Sequence, residues 1–154
     1  MIGSLVDSAV LVAEIAAKNK DSALKELVAA ARTAGSFDEK TAKMLCKRLQ
    51  ERETIGSTGL GNGVAVPHVK GDDLPRVTMV LARSKKGLEW QAIDGRPVHV
   101  LFLLVSPAGD PELHLQCLRW IAGLARSADF RRFLMAAPDV AAMRELLREM
   151  AQKG

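Results

Sequence analysis

Gly56-Ser-Thr-Gly-Leu-Gly-Asn-Gly-Val-Ala-Val-Pro-His68 places four glycines in eight residues, directly before a short apolar run and a histidine. Glycine at this density is incompatible with the interior of a stable helix or strand, so we expect residues 52–63 to form a loop. Residues 64–66 have the β-branched character of a short strand, which Pro67 and His68 terminate. The stretch therefore predicts a glycine loop followed by a strand that delivers a histidine.

Two helices are predicted upstream of this loop. The first opens at Asp21, carries apolar residues at helical spacing and stops at Gly35; its apolar residues are Leu24, Leu27, Val28 and Ala31. The second begins with the capping-box pattern of Ser36 and Glu39 and should end near Glu51. Its buried face would contain Ala42, Leu45 and Leu49.

Downstream, residues 76–82 and 98–105 are rich in Val and Leu and predict two strands, with a turn at Asp94-Gly-Arg-Pro97 between them. Pro111 should open a third helix and Pro138 a last one. The apolar face of the third helix would contain Leu115, Leu118, Ile121, Ala122 and Leu124. Helices flank strands at both ends and no Pro-, Gly- or Ser-rich linker divides the chain. We expect an α/β fold and one domain over residues 1–154.

Composition excludes several classes of protein. The chain has 154 residues, is 48% hydrophobic and 26% charged, and so is neither disordered nor of low complexity. The net charge of +4 is spread evenly, aromatic residues make up 4% and tyrosine is absent, which argues against specific nucleic-acid binding. The longest apolar run, residues 98–105, is too short to cross a membrane.

The expected compartment is the cytoplasm. The first residues lack the pattern of a secretory signal. Cys46 and Cys117 are isolated in sequence, which suits two buried thiols in a reducing environment better than a disulfide framework.

His68 is the strongest candidate for chemistry. A neutral imidazole, whose ordinary pKa is about 6.5, is a nucleophile near pH 7 without further activation and can accept a phosphoryl group. Phosphoryl transfer needs in-line positioning and donors for three oxygens, which glycine-loop amides and the guanidinium of Arg52 could supply. The structural alternative remains open, because glycine loops are often plain turns and a histidine after a strand is often only a polar end group.

Other motifs fit poorly. Gly59-Leu-Gly-Asn-Gly63 is GxGxG before a strand, whereas a dinucleotide site needs GxGxxG opening a helix, and the Gly-Lys-Ser/Thr of a P-loop is absent. Ser57 lies in Gly-Ser-Thr-Gly and not in the GxSxG of a serine hydrolase. A zinc site of His68, His114 and Cys117 is possible by spacing alone, and we predict no metal and no cofactor.

The stretch from Arg52 to His68 resembles the phosphorylation-site signature of enzyme IIA of the bacterial phosphotransferase system, in its fructose, mannitol and nitrogen-regulatory class. Three further stretches are similar in order and spacing, and with the signature they extend the resemblance over about residues 18–150. They are Gln91-Ala-Ile-Asp-Gly-Arg-Pro-Val98, Leu101-Phe-Leu-Leu-Val-Ser-Pro107 and His114-Leu115. The resemblance does not include the first dozen residues.

The resemblance implies a mixed β-sheet flanked by helices and a phosphocarrier in which His68 accepts a phosphoryl group from HPr or a paralogue. The group would pass to a cysteine of a separate enzyme IIB in sugar transport, or serve as a nitrogen-type regulatory signal. His114 and Arg52 are carried over as site residues. Ser57, Thr58, Gly59, Gly61 and Asn62 are weaker candidates for phosphoryl-stabilising residues.

Two departures from the family pattern motivate an alternative function, and one is the basic net charge of +4, which gives no general attraction to a basic face on HPr. In the other, Val69 follows the histidine where the family usually has a small residue, and its branched side chain could narrow the room for a partner. The alternative is a regulatory binding module of the same fold that docks to a transporter or regulator. Both functions remain open at this point.

Overall fold

The computed structural model describes residues 2–153, which form six helices and six strands. The helices are α1 (Ile2–Ser8), α2 (Lys20–Thr33), α3 (Glu39–Ile55), α4 (Pro111–Arg126), α5 (Ala128–Ala136) and α6 (Val140–Lys153). The strands are β1 (Val10–Val12), β2 (Gly59–Gly61), β3 (Val64–Ala65), β4 (His68–Gly71), β5 (Thr78–Leu88) and β6 (Val98–Pro107).

The strands form one mixed sheet in the order β1-β5-β6-β3-β2. The antiparallel pair β5–β6 is its centre, and β1 adds to β5 in parallel. Both β3 and β4 run parallel to β6 along its other edge, β3 beside Val100 and Leu101 and β4 beside residues 104–107. The α/β class and the mixed sheet flanked by helices are confirmed.

Helices cover both faces of the sheet. One face packs against α1, α4, α5 and α6, with Phe102 and Leu104 of β6 buried there beside Ile121 of α4. The other face packs against α2 and α3, where Leu101 and Trp90 are fully buried. Alternate residues of β6 thus enter opposite cores, which explains why residues 98–105 read as a continuous apolar run. Within residues 2–153, no helix has both the length and the apolarity that a membrane span requires.

The two upstream helices form as predicted, with different ends. Asn19 caps α2 by accepting from the Ser22 amide, so the helix begins at Lys20, one residue before the predicted start. The predicted capping box of Ser36 and Glu39 is wrong, because α3 begins at Glu39 itself and Asp38 caps it. The predicted end near Glu51 is also wrong, since α3 continues to Ile55.

The predicted loop over residues 52–63 is only partly present. Its first residues are the last turn of α3, and residues 59–65 form a tight hairpin of β2 and β3. Asn62 (φ 58°), Gly61 (φ 87°) and Gly63 (φ 76°) build its turn, so glycine serves the left-handed backbone here. His68 does not end a strand as predicted, because Pro67 interrupts the edge and His68 begins β4.

The C-terminal prediction requires further corrections. The buried face of α4 is formed by His114, Cys117, Ile121, Leu124 and Ala125, whereas Leu115, predicted to be buried, is 41% exposed. The prediction took only apolar residues to be buried, whereas the buried side of α4 includes His114 and therefore lies away from Leu115. Helix α5 was not predicted, and α6 begins at Val140, because Asp139 rather than Pro138 opens it by accepting from the Ala142 amide.

Candidate functional site

His68 is held by its own strand at the first position of β4. It pairs with Leu104 of β6 and therefore faces the same side of the sheet, towards α4. Its Nδ1 lies 2.7 Å from the carbonyl oxygen of Val66. A carbonyl only accepts, so Nδ1 carries the proton in this bond and the Nε2 lone pair of the neutral ring is free. His68 is half-buried.

His114 of α4 lies beside His68, with the two ring centroids 5.6 Å apart and the planes inclined by 49°. It is 6% exposed, and its Nδ1 is 2.7 Å from Oγ of Ser106 on β6. Burial, followed by the positive charges of His68 and Lys70, lowers the pKa of His114 from 6.5 to about 4. His114 is therefore neutral at physiological pH.

Lys70 and Ser106 complete this group, and sequence reasoning missed both. They pair in register between β4 and β6, and Lys70 stands two residues after His68 on the same face of β4. The positive charge of Lys70 is the smallest of the three causes that lower the pKa of His114. The signal was available, because residues at i and i+2 of a strand share a face.

Arg52 lies in the last turn of α3, with Nη1 2.6 Å from the carbonyl oxygen of Gly56, where it caps its own helix. One turn earlier, Nη1 of Arg48 binds the carbonyl oxygen of Lys70 at 3.1 Å, and Leu45 adjoins Gly71. Helix α3 thus runs antiparallel to β4. Arg52 follows one turn after Arg48, towards the His68 end of β4, but α3 packs against the face of the sheet opposite to the one that His68 faces.

The hydroxyl groups of Ser57 and Thr58 are already engaged. Ser57 Oγ donates to the Trp90 carbonyl at 2.7 Å and accepts from the Gly59 amide at 3.0 Å. Thr58, which is 5% exposed, donates its hydroxyl proton to Glu53 and accepts from Trp90 Nε1 at 3.2 Å. Neither hydroxyl proton is therefore free for a phosphoryl oxygen in this conformation.

The remaining candidates of the glycine motif contact the turn before β6. The Gly59 backbone packs on Ala92, so that a Cβ at Gly59 would stand 2.7 Å from the Ala92 Cβ. The amide of Asn62 donates to Asp94 Oδ2 at 3.0 Å, and Gly61 approaches the same carboxylate. These contacts join the hairpin to residues 92–94 and fix its position.

The structure also places Val69 and Cys117, the two residues that the sequence raised as a possible obstruction and a possible zinc ligand. Val69 lies on the opposite face of β4 from His68 and packs, partly buried, against the core beneath α2 and α3. It therefore does not narrow the space around the imidazole. Cys117 is fully buried in the core on the α4 face, and residues 2–153 hold no group of three His, Cys, Asp or Glu side chains suited to a metal ion.

Comparison with known proteins identifies the family. The family model described as "Phosphoenolpyruvate-dependent sugar phosphotransferase system, EIIA 2" matches residues 4–150, which include β1 and most of α1 and thus extend the resemblance beyond residues 18–150. The chain is 33% identical over 146 residues to a nitrogen regulatory protein of Bradyrhizobium diazoefficiens, covering 95% of this chain and 94% of that protein. It is 32% identical over 133 residues to a fructose-specific EIIA component of Haloferax volcanii, covering 86% and 85%.

A solved structure supports the same family. The nitrogen regulatory protein IIA-Ntr from Neisseria meningitidis superposes with a TM-score of 0.84 at 27% identity, over 95% of this chain and 98% of that one. The resemblance stated from the sequence is confirmed. The chain belongs to the EIIA 2 family of the phosphoenolpyruvate-dependent sugar phosphotransferase system.

Proposed function

We propose that this chain acts, as one domain over residues 1–154, as a phosphocarrier that holds a phosphoryl group on Nε2 of His68. The observation that carries the proposal is the bond from His68 Nδ1 to the Val66 carbonyl at 2.7 Å, which leaves Nε2 as the free nucleophile. The neighbouring imidazole of His114 is neutral and adds no competing positive charge.

The transfer step balances without a further base. The Nε2 lone pair attacks the phosphorus of a phosphohistidine on the donor, a bond forms between Nε2 and phosphorus, and the donor's nitrogen–phosphorus bond breaks. The departing imidazole keeps the electron pair of that bond. The proton on Nδ1 of His68 stays in place, and the Val66 carbonyl stabilises the positive charge that the ring gains.

The phosphoryl oxygens need donors, and we assign this role to the side chains of His114, Lys70 and Arg52. The hydroxyl of Ser106 can donate to Nδ1 of His114. The proton of that neutral ring is then on Nε2, which can donate it to a phosphoryl oxygen. Lys70 adds a positive charge on the face of β4 that it shares with His68. Arg52 is included on the premise that its guanidinium leaves the Gly56 carbonyl and reaches past the edge strand β4 when an anion arrives.

The remaining candidates have a supporting role in this proposal. Ser57 and Thr58, together with Gly59, Gly61 and Asn62, form a scaffold through contacts to residues 90–94. That scaffold sets the path of the hairpin that leads to His68. Neither a cofactor nor a metal takes part in the proposed step.

For partners, we propose an HPr-like phosphocarrier or a paralogue as donor. As acceptor we propose either a cysteine of a separate enzyme IIB or a target of nitrogen regulation; the two relatives are named a fructose-specific EIIA component and a nitrogen regulatory protein. The proposed compartment is the cytoplasm, where Cys46 and Cys117 remain free thiols.

The test is phosphorylation in the presence of phosphoenolpyruvate, enzyme I and an HPr-like donor, followed by intact mass. The parent should gain one acid-labile phosphoryl group and His68→Gln none. His99→Gln is the matched control, because His99 is also a half-buried strand histidine whose Nδ1 binds a carbonyl, that of Ser84 at 2.8 Å. Equal labelling of the parent and His68→Gln would refute the proposal.

A second candidate function is the docking module. Ile55, Ile93 and Leu60 are 83%, 91% and 45% exposed, and all three adjoin the glycine motif or the turn that it contacts. A contiguous exposed apolar patch is typical of a protein-binding surface, and this candidate function requires that the three side chains form one. If the protein is a docking module, His68→Gln should keep its regulatory effect on a partner in cells. If it is a phosphocarrier, the variant should lose the control of that partner that depends on phosphorylation.

A further inference from the structure

Glu53 is an almost buried carboxylate near the end of α3, with a side chain that is 5% exposed. It accepts from Lys20 Nζ at 3.0 Å and from the Thr58 amide at 3.1 Å, both at Oε1. At Oε2 it accepts the hydroxyl proton of Thr58. An ionised carboxylate is an acceptor only, so it satisfies all three donors at once.

The direction of every bond around Thr58 is determined. Trp90 Nε1 only donates, so the Thr58 oxygen must accept from it, at 3.2 Å. The single proton of the hydroxyl is then available to Glu53 alone. Trp90 is fully buried, and Lys20 lies 5.2 Å from the centre of its ring. Thr58 is therefore held by both its amide and its side chain.

Two hydrogen bonds to the backbone of Val66 connect Thr58 to His68. The carbonyl of Thr58 accepts from the Val66 amide at 3.0 Å. The carbonyl of Val66 in turn accepts from Nδ1 of His68 at 2.7 Å. The orientation of the imidazole and the position of its proton thus depend on where residue 66 is held, and Thr58 holds it.

We propose that Glu53 is a positioning residue for His68, which sets the Nδ1–H tautomer through Thr58 and the Val66 backbone. This inference rests on the proposed phosphocarrier function, since it names what keeps Nε2 free for that chemistry. It also explains why a carboxylate is buried at the end of α3. A glutamine has one acceptor oxygen and an NH2 group that would face donors, so it cannot replace the three bonds.

The variant that tests Glu53 is Glu53→Gln, with Glu51→Gln as the matched control because Glu51 is an exposed glutamate two residues earlier in α3. Long-range proton–nitrogen NMR of the unphosphorylated protein reports the His68 tautomer without any donor. The rate of phosphorylation by an HPr-like donor reports how readily His68 accepts the phosphoryl group. In Glu53→Gln we expect a population of the Nε2–H tautomer and at least a tenfold slower acceptance, on the order of other outer-shell effects. Glu51→Gln should match the parent.

Substitution of Thr58 supplies a second test that does not remove a buried charge. Thr58→Ser keeps the hydroxyl and should behave as the parent, whereas Thr58→Val keeps the shape, loses the hydroxyl and should behave as Glu53→Gln. If Glu53→Gln fails to fold, this pair decides. The inference is overturned if the His68 tautomer is the same in the parent, Glu53→Gln and Thr58→Val. If Glu53→Gln does not fold, the same tautomer in Thr58→Ser and Thr58→Val overturns it.

The two proposals fail in different ways. If the parent itself accepts no phosphoryl group on His68, the phosphocarrier function is wrong, whatever the variants do. If the parent accepts the group and the tautomer and rate are unchanged in Glu53→Gln, the function stands and Glu53 has no part in it.

Discussion

The imidazole rings of His68 and His114 lie with their centroids 5.6 Å apart, one on an edge strand and one on the helix that covers that face. In both rings Nδ1 is engaged, by the Val66 carbonyl in His68 and by the Ser106 hydroxyl in His114. A carbonyl can only accept, whereas a hydroxyl can donate. The pair can therefore present one Nε2 as a nucleophile and the other as a donor.

Stability should depend on the protonation of His114. Its pKa is about 4 in the folded protein and 6.5 when unfolded, so the unfolded chain binds more protons between these values. The free energy of unfolding should therefore fall as the pH drops from about 6.5 to about 4, by up to roughly 3 kcal/mol at about 1.4 kcal/mol per pKa unit. Denaturant unfolding across this pH range measures it.

His114→Gln is the variant that isolates this effect, and His99→Gln serves as its control. The parent and His99→Gln should lose stability together over this pH window, and His114→Gln should lose less. Unfolding free energies of the parent and His114→Gln that stay parallel from pH 6.5 to pH 4 would contradict the placement of a neutral, buried His114.

Replacement of Val69 should leave phosphoryl acceptance unchanged. The side chain packs in the core on the opposite face of β4 from His68. Val69→Ala should keep the rate of phosphorylation within about twofold and lower the free energy of unfolding by about 1–2 kcal/mol through lost apolar contact. Rate and stability are measured on the same preparation. A sharp increase in rate would restore Val69 as a barrier to the partner.

Two glycines of the motif should differ in their tolerance of a side chain. A Cβ at Gly59 would stand 2.7 Å from the Ala92 Cβ, whereas a Cβ at Gly56 meets nothing within 4 Å. Gly59→Ala should cost about 1–3 kcal/mol of stability by overpacking, and Gly56→Ala less than about 0.5 kcal/mol. Thermal unfolding compares them, and equal stability of the two variants would contradict the contact between the hairpin and residue 92.

The parts of the fold that were predicted are those with regular periodicity. Leu24, Leu27 and Val28 marked the buried face of α2, and the continuous apolar run of β6 marked a strand with both faces covered. The end of α3 could not be read, because Arg52 satisfies the Gly56 carbonyl by a contact that no local pattern signals. The C-terminal segment was misread for a related reason, since capping by Asp139 outweighs the preference of Pro138 for a first helical position.

In the candidate site, the sequence motif indicated His68 and Arg52, and the resemblance added His114 and supported Arg52. The alternation of a strand could have indicated Lys70, whereas the roles of Ser106 and Glu53 could not be predicted from local patterns. Ser106 is opposite Lys70 only because β4 runs parallel to β6, and this register is set by the whole sheet. Glu53 reaches Thr58 only because α3 continues past the end predicted for it.

The central claim is that Nε2 of His68 carries the phosphoryl group, and nitrogen-resolved NMR of the phosphorylated protein tests it most directly. The nitrogen bonded to phosphorus shows a phosphorus coupling, and its connectivity to the ring carbons identifies it. The account predicts a single phosphorylated nitrogen, Nε2 of His68, with Nδ1 still protonated on the Val66 carbonyl. Phosphorus on Nδ1 of His68, or on His114 or His99, would contradict it.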